Sequence, residues 1–140
     1  MLFGLGLGAL AYSLVVEFPP DISPRLAAFL MIIAAFSFLF AGFFPVDPGD
    51  AAETFTGQVH AWSLRSGVVI MLLAGLLAGN RLRQRGGVSG WLPLALSVAA
   101  LATNWGYRQA PLGENGLEQR ALFGVLVGWV VVTALACRDD

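Results

Sequence analysis

Three polar side chains that can do chemistry follow one another closely in the sequence. A carboxylate, Asp47, comes shortly before the only histidine, His60, and an arginine, Arg65, follows less than two helical turns later. An imidazole can act as a general base when a carboxylate orients it, and a guanidinium binds phosphate or carboxylate groups. These residue types predict either a site for an anionic headgroup or a hydrolytic site that activates water.

Three further polar residues, Asn104, Glu118 and Arg120, lie near the ends of later apolar segments. In a helical bundle whose helices alternate in direction, these ends meet the region of Asp47 and His60 at one face. We therefore predict one group of ligand-binding residues, in which His60 and Asp47 are catalytic under the alternative hypothesis. The group consists of Asp47, His60, Arg65, Asn104, Glu118 and Arg120.

The composition indicates a membrane protein. Of the 140 residues, 57% are hydrophobic and only 12% are charged, against about 25% in an average soluble domain. A soluble fold of this size exposes too much of its chain to hide that apolar surface from water. The net charge of −1 gives no attraction for nucleic acid. These values exclude an ordinary soluble domain, a disordered chain and a nucleic-acid binder.

Five apolar segments approach the length of about 20 residues that a membrane-spanning helix needs. They predict an all-α fold, a polytopic transmembrane bundle that occupies residues 1–140 as a single domain. The first segment rises only about 24 Å, against a hydrocarbon core of about 30 Å. We therefore expect that the chain is shorter at its N-terminus than its relatives, or that an upstream helix is missing. The predicted spans are approximately residues 1–16, 26–44, 59–79, 91–107 and 117–137.

The arginines set the expected orientation in a cell membrane. Three of them, Arg81, Arg83 and Arg85, lie in the loop 80–90. Arginine-rich loops stay on the cytoplasmic side, so this loop and the C-terminus are predicted to be cytoplasmic. Alternation of the spans then places the six ligand-binding residues on the outer face.

Arg65 and His60 each have two interpretations. A charge within a span is costly and usually has a partner, so Arg65 is predicted to pair with Asp47 or Glu118. Alternatively, its side chain extends to the outer headgroups without further function. His60 either joins Asp47 in an outward pocket or is an interfacial histidine bonded to Thr56.

Several other chemistries do not fit the residues present. Gly87-Val88-Ser89-Gly90 matches the serine motif of rhomboid-like proteases, but Ser89 and His60 are predicted at opposite membrane faces. A haem with two axial histidines needs a second histidine, and zinc usually has three or four ligands. A proton-coupled transporter usually has an acid at mid-span, where this chain has none. We expect no metal and no cofactor.

Pairs of glycines four residues apart indicate where helices approach closely. They occur at Gly4 and Gly8, at Gly75 and Gly79, and at Gly124 and Gly128. Such pairs are expected to serve packing within the bundle, and oligomerisation through one of them is the alternative.

Three short motifs resemble a known family. They are Gly42-Phe43-Phe44-Pro45-Val46-Asp47, Gly57-Gln58-Val59-His60 and Gly116-Leu117-Glu118-Gln119-Arg120. Their order resembles the bacterial and archaeal membrane proteins called domain of unknown function 998. The resemblance covers residues 26–132 and implies a helical bundle with one more N-terminal helix. It also marks Pro45, Asp47, His60, Glu118 and Arg120 as family positions, and it implies no activity.

The residues therefore favour a binding protein over an enzyme. The leading hypothesis is a protein of the lipid bilayer that binds a lipid headgroup or a partner protein at its outer face. The first alternative is an interfacial hydrolase in which Asp47 orients His60 as a base. Because Ser63 and Ser66 share the helix of His60, this hydrolase would use an activated water. A small permease is the second alternative.

Overall fold

The computed structural model describes residues 2–18, 21–45, 47, 54–84, 87–109 and 115–138. In the last two ranges, side chains are described only for residues 91–105 and 120–137. The side chains of Arg85, Ser89 and Glu118, on which predictions rest, lie outside the described residues. The all-α prediction is confirmed, since the described ranges contain helices and no strand. The helices are α1 (Leu2–Glu17), α2 (Ile22–Phe43), α3 (Phe55–Arg83), α4 (Gly87–Gln109) and α5 (Asn115–Arg138).

Capping residues determine where α2 and α3 begin. The Asp21 carboxylate accepts a hydrogen bond of 2.7 Å from the backbone N–H of Ile22, the first residue of α2. Pro24 lies in the first turn of α2, where its missing N–H costs no helical hydrogen bond. Thr54 caps α3, because its hydroxyl accepts a hydrogen bond of 3.1 Å from the Gly57 N–H. These caps extend both helices beyond the predicted apolar segments.

Consecutive helices run antiparallel. Gly4, near the start of α1, lies against Ala35 in the second half of α2. Gly79, near the end of α3, lies against Leu94 near the start of α4. The starts of α1, α3 and α5 and the ends of α2 and α4 therefore share one end of the bundle.

Contacts between the first and last helices close the bundle into a ring. Each helix packs against its neighbours in sequence, and α1 also packs against α5. The ring of Phe3 lies edge-on to Phe38, with centroids 4.9 Å apart, and to Phe123, with centroids 6.3 Å apart. Because Phe3 and Phe123 both lie towards the N-terminal ends of their helices, α1 and α5 run parallel.

Small side chains make up much of the buried surface of α2 and α3, and bulky apolar side chains face outward. This pattern suits helices in lipid, where the outside is as apolar as the interior and close backbone approach stabilises the bundle. Buried small residues of these two helices include Ala27, Ala28, Ala34, Ala35, Gly67, Ala74, Gly75, Ala78 and Gly79. Exposed large residues include Phe29, Phe36, Phe40, Leu73, Trp91 and Val131.

Three helices are long and apolar enough to cross a membrane, which indicates a membrane-embedded protein. They are α2, α3 and the Arg120–Cys137 part of α5. The prediction of five spans is not confirmed, because α1 and the Trp91–Trp105 part of α4 are apolar but shorter. The 16 residues of α1 rise only about 24 Å.

The glycine pairs have different surroundings. A Cβ added at Gly4 would lie 2.8 Å from the Ala35 carbonyl oxygen, and one at Gly79 would lie 2.9 Å from the Leu94 Cα. A Cβ at Gly8, by contrast, would have no atom within 4 Å, and the same holds for Gly124 and Gly128. A Cβ at Gly75 would lie 2.9 Å from the Ser97 Oγ, so packing within the bundle is confirmed for Gly4, Gly75 and Gly79. Oligomerisation through the open glycines stays a prediction.

Substituting the two glycines of α1 should have opposite effects. We expect Gly4→Ala to lower the melting temperature in detergent, because overpacking against a backbone oxygen costs about 1–3 kcal/mol. Gly8→Ala is the matched control on the same helix, and it should leave stability unchanged or raise it through the higher helix propensity of alanine. Equal effects of the two substitutions would contradict the close contact between α1 and α2.

Candidate functional site

The antiparallel helices bring the predicted site residues to one end of the bundle, and three of them to one cavity. Asp47, His60 and Arg65 line a cavity of about 240 Å³ at the connection between α2 and α3. Gly57 and Trp62 also line it. One short stretch of chain therefore supplies a carboxylate, an imidazole and a guanidinium to a single space.

Asn104 and Arg120 lie at the same end but do not line this cavity. Asn104 is half-buried near the end of α4, and Arg120 is exposed near the start of α5. The side chain of Glu118 lies outside the described residues. The cavity thus belongs to α3 and the segment that precedes it.

Asp47 is held by Thr54. The Thr54 backbone N–H donates a hydrogen bond of 2.8 Å to Asp47 Oδ2, and the Thr54 hydroxyl donates one of 2.6 Å to Oδ1. The Thr56 hydroxyl lies 2.9 Å from that of Thr54. Since the Thr54 proton points to the carboxylate, Thr56 donates to Thr54. This chain of hydrogen bonds fixes the carboxylate over the first turn of α3.

Gly57 is required by the position of Asp47. A Cβ at this position would overlap the Asp47 carboxylate. Because the backbone fixes the position of a Cβ, only a displacement of the Asp47 carboxylate from its hydrogen bonds with Thr54 relieves the overlap. The glycine thus allows the carboxylate to lie directly against the helix start, where the helix dipole favours a negative charge.

These contacts change the acidity of Asp47. The hydrogen bond from the Thr54 hydroxyl, followed by that from the Thr54 N–H, holds the pKa of the Asp47 carboxyl below its ordinary value of 3.8. Partial burial opposes this shift weakly. Asp47 is therefore ionised at neutral pH and can only accept hydrogen bonds.

His60 joins α3 to the end of α2. Its Nδ1 lies 2.9 Å from the carbonyl oxygen of Ala41 and 3.0 Å from that of Phe44. Carbonyl oxygens only accept hydrogen bonds, so Nδ1 carries a proton and donates to them. The two carbonyls lie at the C-terminal end of α2, where Phe44 is the cap residue and its N–H also donates a hydrogen bond of 3.4 Å to the Ala41 carbonyl. In the neutral ring, Nε2 then holds the free lone pair.

This geometry corrects two predictions about His60. Asp47 does not orient the ring, because its carboxylate is bonded to Thr54 and the backbone of α2 holds Nδ1 instead. Thr56 does not cap the ring either, since its hydroxyl bonds to Thr54. The orienting groups are main-chain carbonyls, which a side-chain motif does not reveal.

Arg65 lies beside an aromatic ring. Its guanidinium carbon is 6.0 Å from the centroid of Trp62, within the range of a cation–π contact. The predicted ion pair between Arg65 and Asp47 is wrong, because no Arg65 nitrogen lies within 4.0 Å of the Asp47 carboxylate. Among the residues with described side chains, no carboxylate lies within ion-pair distance of Arg65. The pairing with Glu118 stays a prediction.

The opposite end of the bundle has contacts of its own that sequence reasoning missed. Arg81 forms an ion pair of 3.4 Å with Asp21, the capping residue of α2. The guanidinium of Arg83 lies 4.9 Å from the ring centroid of Trp91. The sequence prediction of the site also did not include Thr54, although a threonine just before an apolar segment is a signal for the start of a helix.

The donor set fits an organic ion better than a metal. Within the described part of the chain, no group of three metal-type ligands comes together. The cavity instead presents a guanidinium with five N–H donors, a carboxylate with remaining lone pairs and an imidazole nitrogen. These groups bind by charge and by hydrogen bonding.

Comparison with known proteins identifies a family. A family model described as protein of unknown function (DUF998) matches residues 1–136, which is nearly the whole chain, so the chain belongs to this family. The resemblance seen in the motifs is thereby confirmed. No curated protein and no solved structure matched the chain.

The stability that Asp47 provides should depend on pH. Because the pKa of Asp47 is lowered in the folded protein, its contribution is complete above 3.8 and is lost as the pH falls through the lower folded value. We expect Asp47→Asn to lower the melting temperature at neutral pH, and the difference from wild type to shrink at a pH well below 3.8.

A second variant tests the assignment of the partner. In a Thr54→Val background, which lacks the hydroxyl donor, Asp47→Asn should lower the melting temperature less than in wild type. If Asp47→Asn lowers the melting temperature by the same amount at every pH and in both backgrounds, the hydrogen-bonded role of Asp47 is contradicted.

Proposed function

We propose that this member of the DUF998 family binds the anionic group of a lipid headgroup in the cavity lined by Asp47, His60 and Arg65. The description of the family assigns no activity, so the proposal rests on the site. The main support for the proposal is the position of Arg65. Its guanidinium lines the cavity, lies against Trp62, and has no carboxylate partner among the described side chains.

The chemistry of arginine supports this proposal. A guanidinium is always charged, and its planar set of N–H donors matches the oxygens of a phosphate. Its position over the ring of Trp62, a residue 68% exposed, is typical of the membrane interface, where tryptophan is enriched. A lipid phosphate at the membrane interface would therefore meet the guanidinium of Arg65, which the contact with Trp62 already orients.

His60 supports a second candidate function, an interfacial hydrolase. With Nδ1 committed to the carbonyls of Ala41 and Phe44, Nε2 of the neutral ring is available as a base for a water molecule. In this candidate the backbone of α2 orients the base, and the phosphate of the substrate binds Arg65.

We further propose that all five helices cross the membrane and that the cavity faces outward. The end of α3 and the start of α5 lie at opposite ends of the bundle, so α4 runs its full length between them. Helix α1 runs alongside α2 in the opposite direction. Arg81 and Arg83 at the end of α3 favour the cytoplasmic side for that end.

Cysteine labelling tests this orientation. Cys137 is the only cysteine and is buried, so Cys137→Ala gives a background without thiols. In this background, Phe55→Cys should react with a membrane-impermeant maleimide in intact cells, and Gln84→Cys should react only after permeabilisation. Both positions are exposed at opposite ends of α3. The reverse pattern would overturn the orientation, and labelling of both from outside would overturn the crossing of α3.

Native mass spectrometry in mild detergent tests the binding of lipid. We expect wild type to carry phospholipid and Arg65→Gln to lower the bound fraction about tenfold or more, since a hydrogen bond to a charged group contributes about 1.5–3 kcal/mol. Arg120→Gln is the matched control, because it removes an exposed arginine at the same end of the bundle but outside the cavity.

The outcomes separate the two functions. Equal loss of lipid in Arg65→Gln and Arg120→Gln would overturn the site, since charge alone would then explain binding. Release of fatty acid or headgroup by wild type, with no release by His60→Ala, would favour the hydrolase over the binding protein.

A further inference from the structure

The cavity contains two opposite charges that do not neutralise each other. The carboxylate of Asp47 lies against the helix at the level of Gly57, and the guanidinium of Arg65 lies over Trp62. An ion pair requires an N···O distance of about 4 Å or less, and no Asp47–Arg65 ion pair forms among the described side chains. Each charge can therefore bind a group of the ligand.

The Asp47 carboxylate retains capacity for a donor. Thr54 supplies one hydrogen bond to Oδ1 and one to Oδ2. Each carboxylate oxygen accepts about two hydrogen bonds, so the donors of the described residues leave one position on each oxygen. Since Asp47 lines the cavity, an N–H donor within the cavity can reach these positions.

From this arrangement we infer that the headgroup is zwitterionic and carries a primary ammonium: its phosphate binds Arg65 and its ammonium donates hydrogen bonds to Asp47. The inference rests on the proposed function, because it concerns the same cavity. A phosphate and an ammonium joined by two methylene groups can bridge charges that are too far apart to pair directly.

Two other headgroup types fit less well. A headgroup with only negative charge would gain Arg65 but would meet repulsion from Asp47, and an unpaired like charge lowers affinity. A quaternary ammonium has no N–H to donate to a carboxylate and is recognised by the faces of aromatic rings. Here the guanidinium of Arg65 already lies at the face of Trp62.

The first experiment uses wild type alone, so it does not depend on how variants fold. Purified protein is incubated with vesicles of phosphatidylethanolamine, its N-methyl and N,N-dimethyl derivatives, phosphatidylcholine or phosphatidylglycerol, all with the same acyl chains. Bound lipid is then counted by native mass spectrometry. We expect affinity to fall at each methylation step and to be about tenfold lower for phosphatidylcholine and for phosphatidylglycerol. Equal binding along the methylation series would overturn the role of the ammonium.

The second experiment removes the two cavity charges one at a time and compares the lipid preference of each variant with that of wild type. Asp47→Asn should reverse the preference towards phosphatidylglycerol, because the repulsion is removed, while Arg65→Gln should weaken all these lipids. Arg120→Gln should keep the wild-type order. Binding that depends on Arg65 but favours phosphatidylglycerol in wild type would overturn this inference and leave the proposed function intact. Binding of phosphatidylethanolamine that does not change in Arg65→Gln would overturn the proposed function itself.

Discussion

The close approach of helix backbones is the constraint on which this bundle depends. Helices surrounded by lipid gain little from hiding apolar side chains, so small residues at their contacts must provide the packing. Gly4 meets the backbone of Ala35, and Gly79 meets that of Leu94, at distances that leave no room for a side chain. With the helices held in this way, the ends of the bundle are free to carry polar groups.

Of the three titratable side chains that line the cavity, two hold the fold and Arg65 does not. Asp47 and His60 both satisfy backbone groups at helix ends, Asp47 through Thr54 at the start of α3 and His60 at the last carbonyls of α2. These contacts use the carboxylate and imidazole that a sequence would assign to catalysis or to pairing with Arg65. Arg65 has no carboxylate partner among the described side chains, and this links the local stability of the helix ends to the proposed binding.

Much of the fold follows from the sequence, but the partners of the site residues do not. The apolar segments and their alternation correctly predict five helices and bring Asp47, His60 and Arg65 to one end. Length alone does not fix the number of membrane crossings, because α1 and the described part of α4 are shorter than the three helices that meet the length of a span. The contacts of His60 could not be predicted, since its partners are carbonyls that every residue possesses. Those of Asp47 join it to Thr54, seven residues later in the sequence, and residue type alone does not encode that pairing.

The overlap between Gly57 and the Asp47 carboxylate has an evolutionary consequence. A lineage that still has the aspartate cannot acquire a side chain at position 57 without displacing it, whereas a lineage that first replaces the aspartate by a smaller residue can. The two positions are therefore epistatic, and the order of substitution matters. Among homologues, we expect glycine at position 57 to vary only where the acid at position 47 has already been lost.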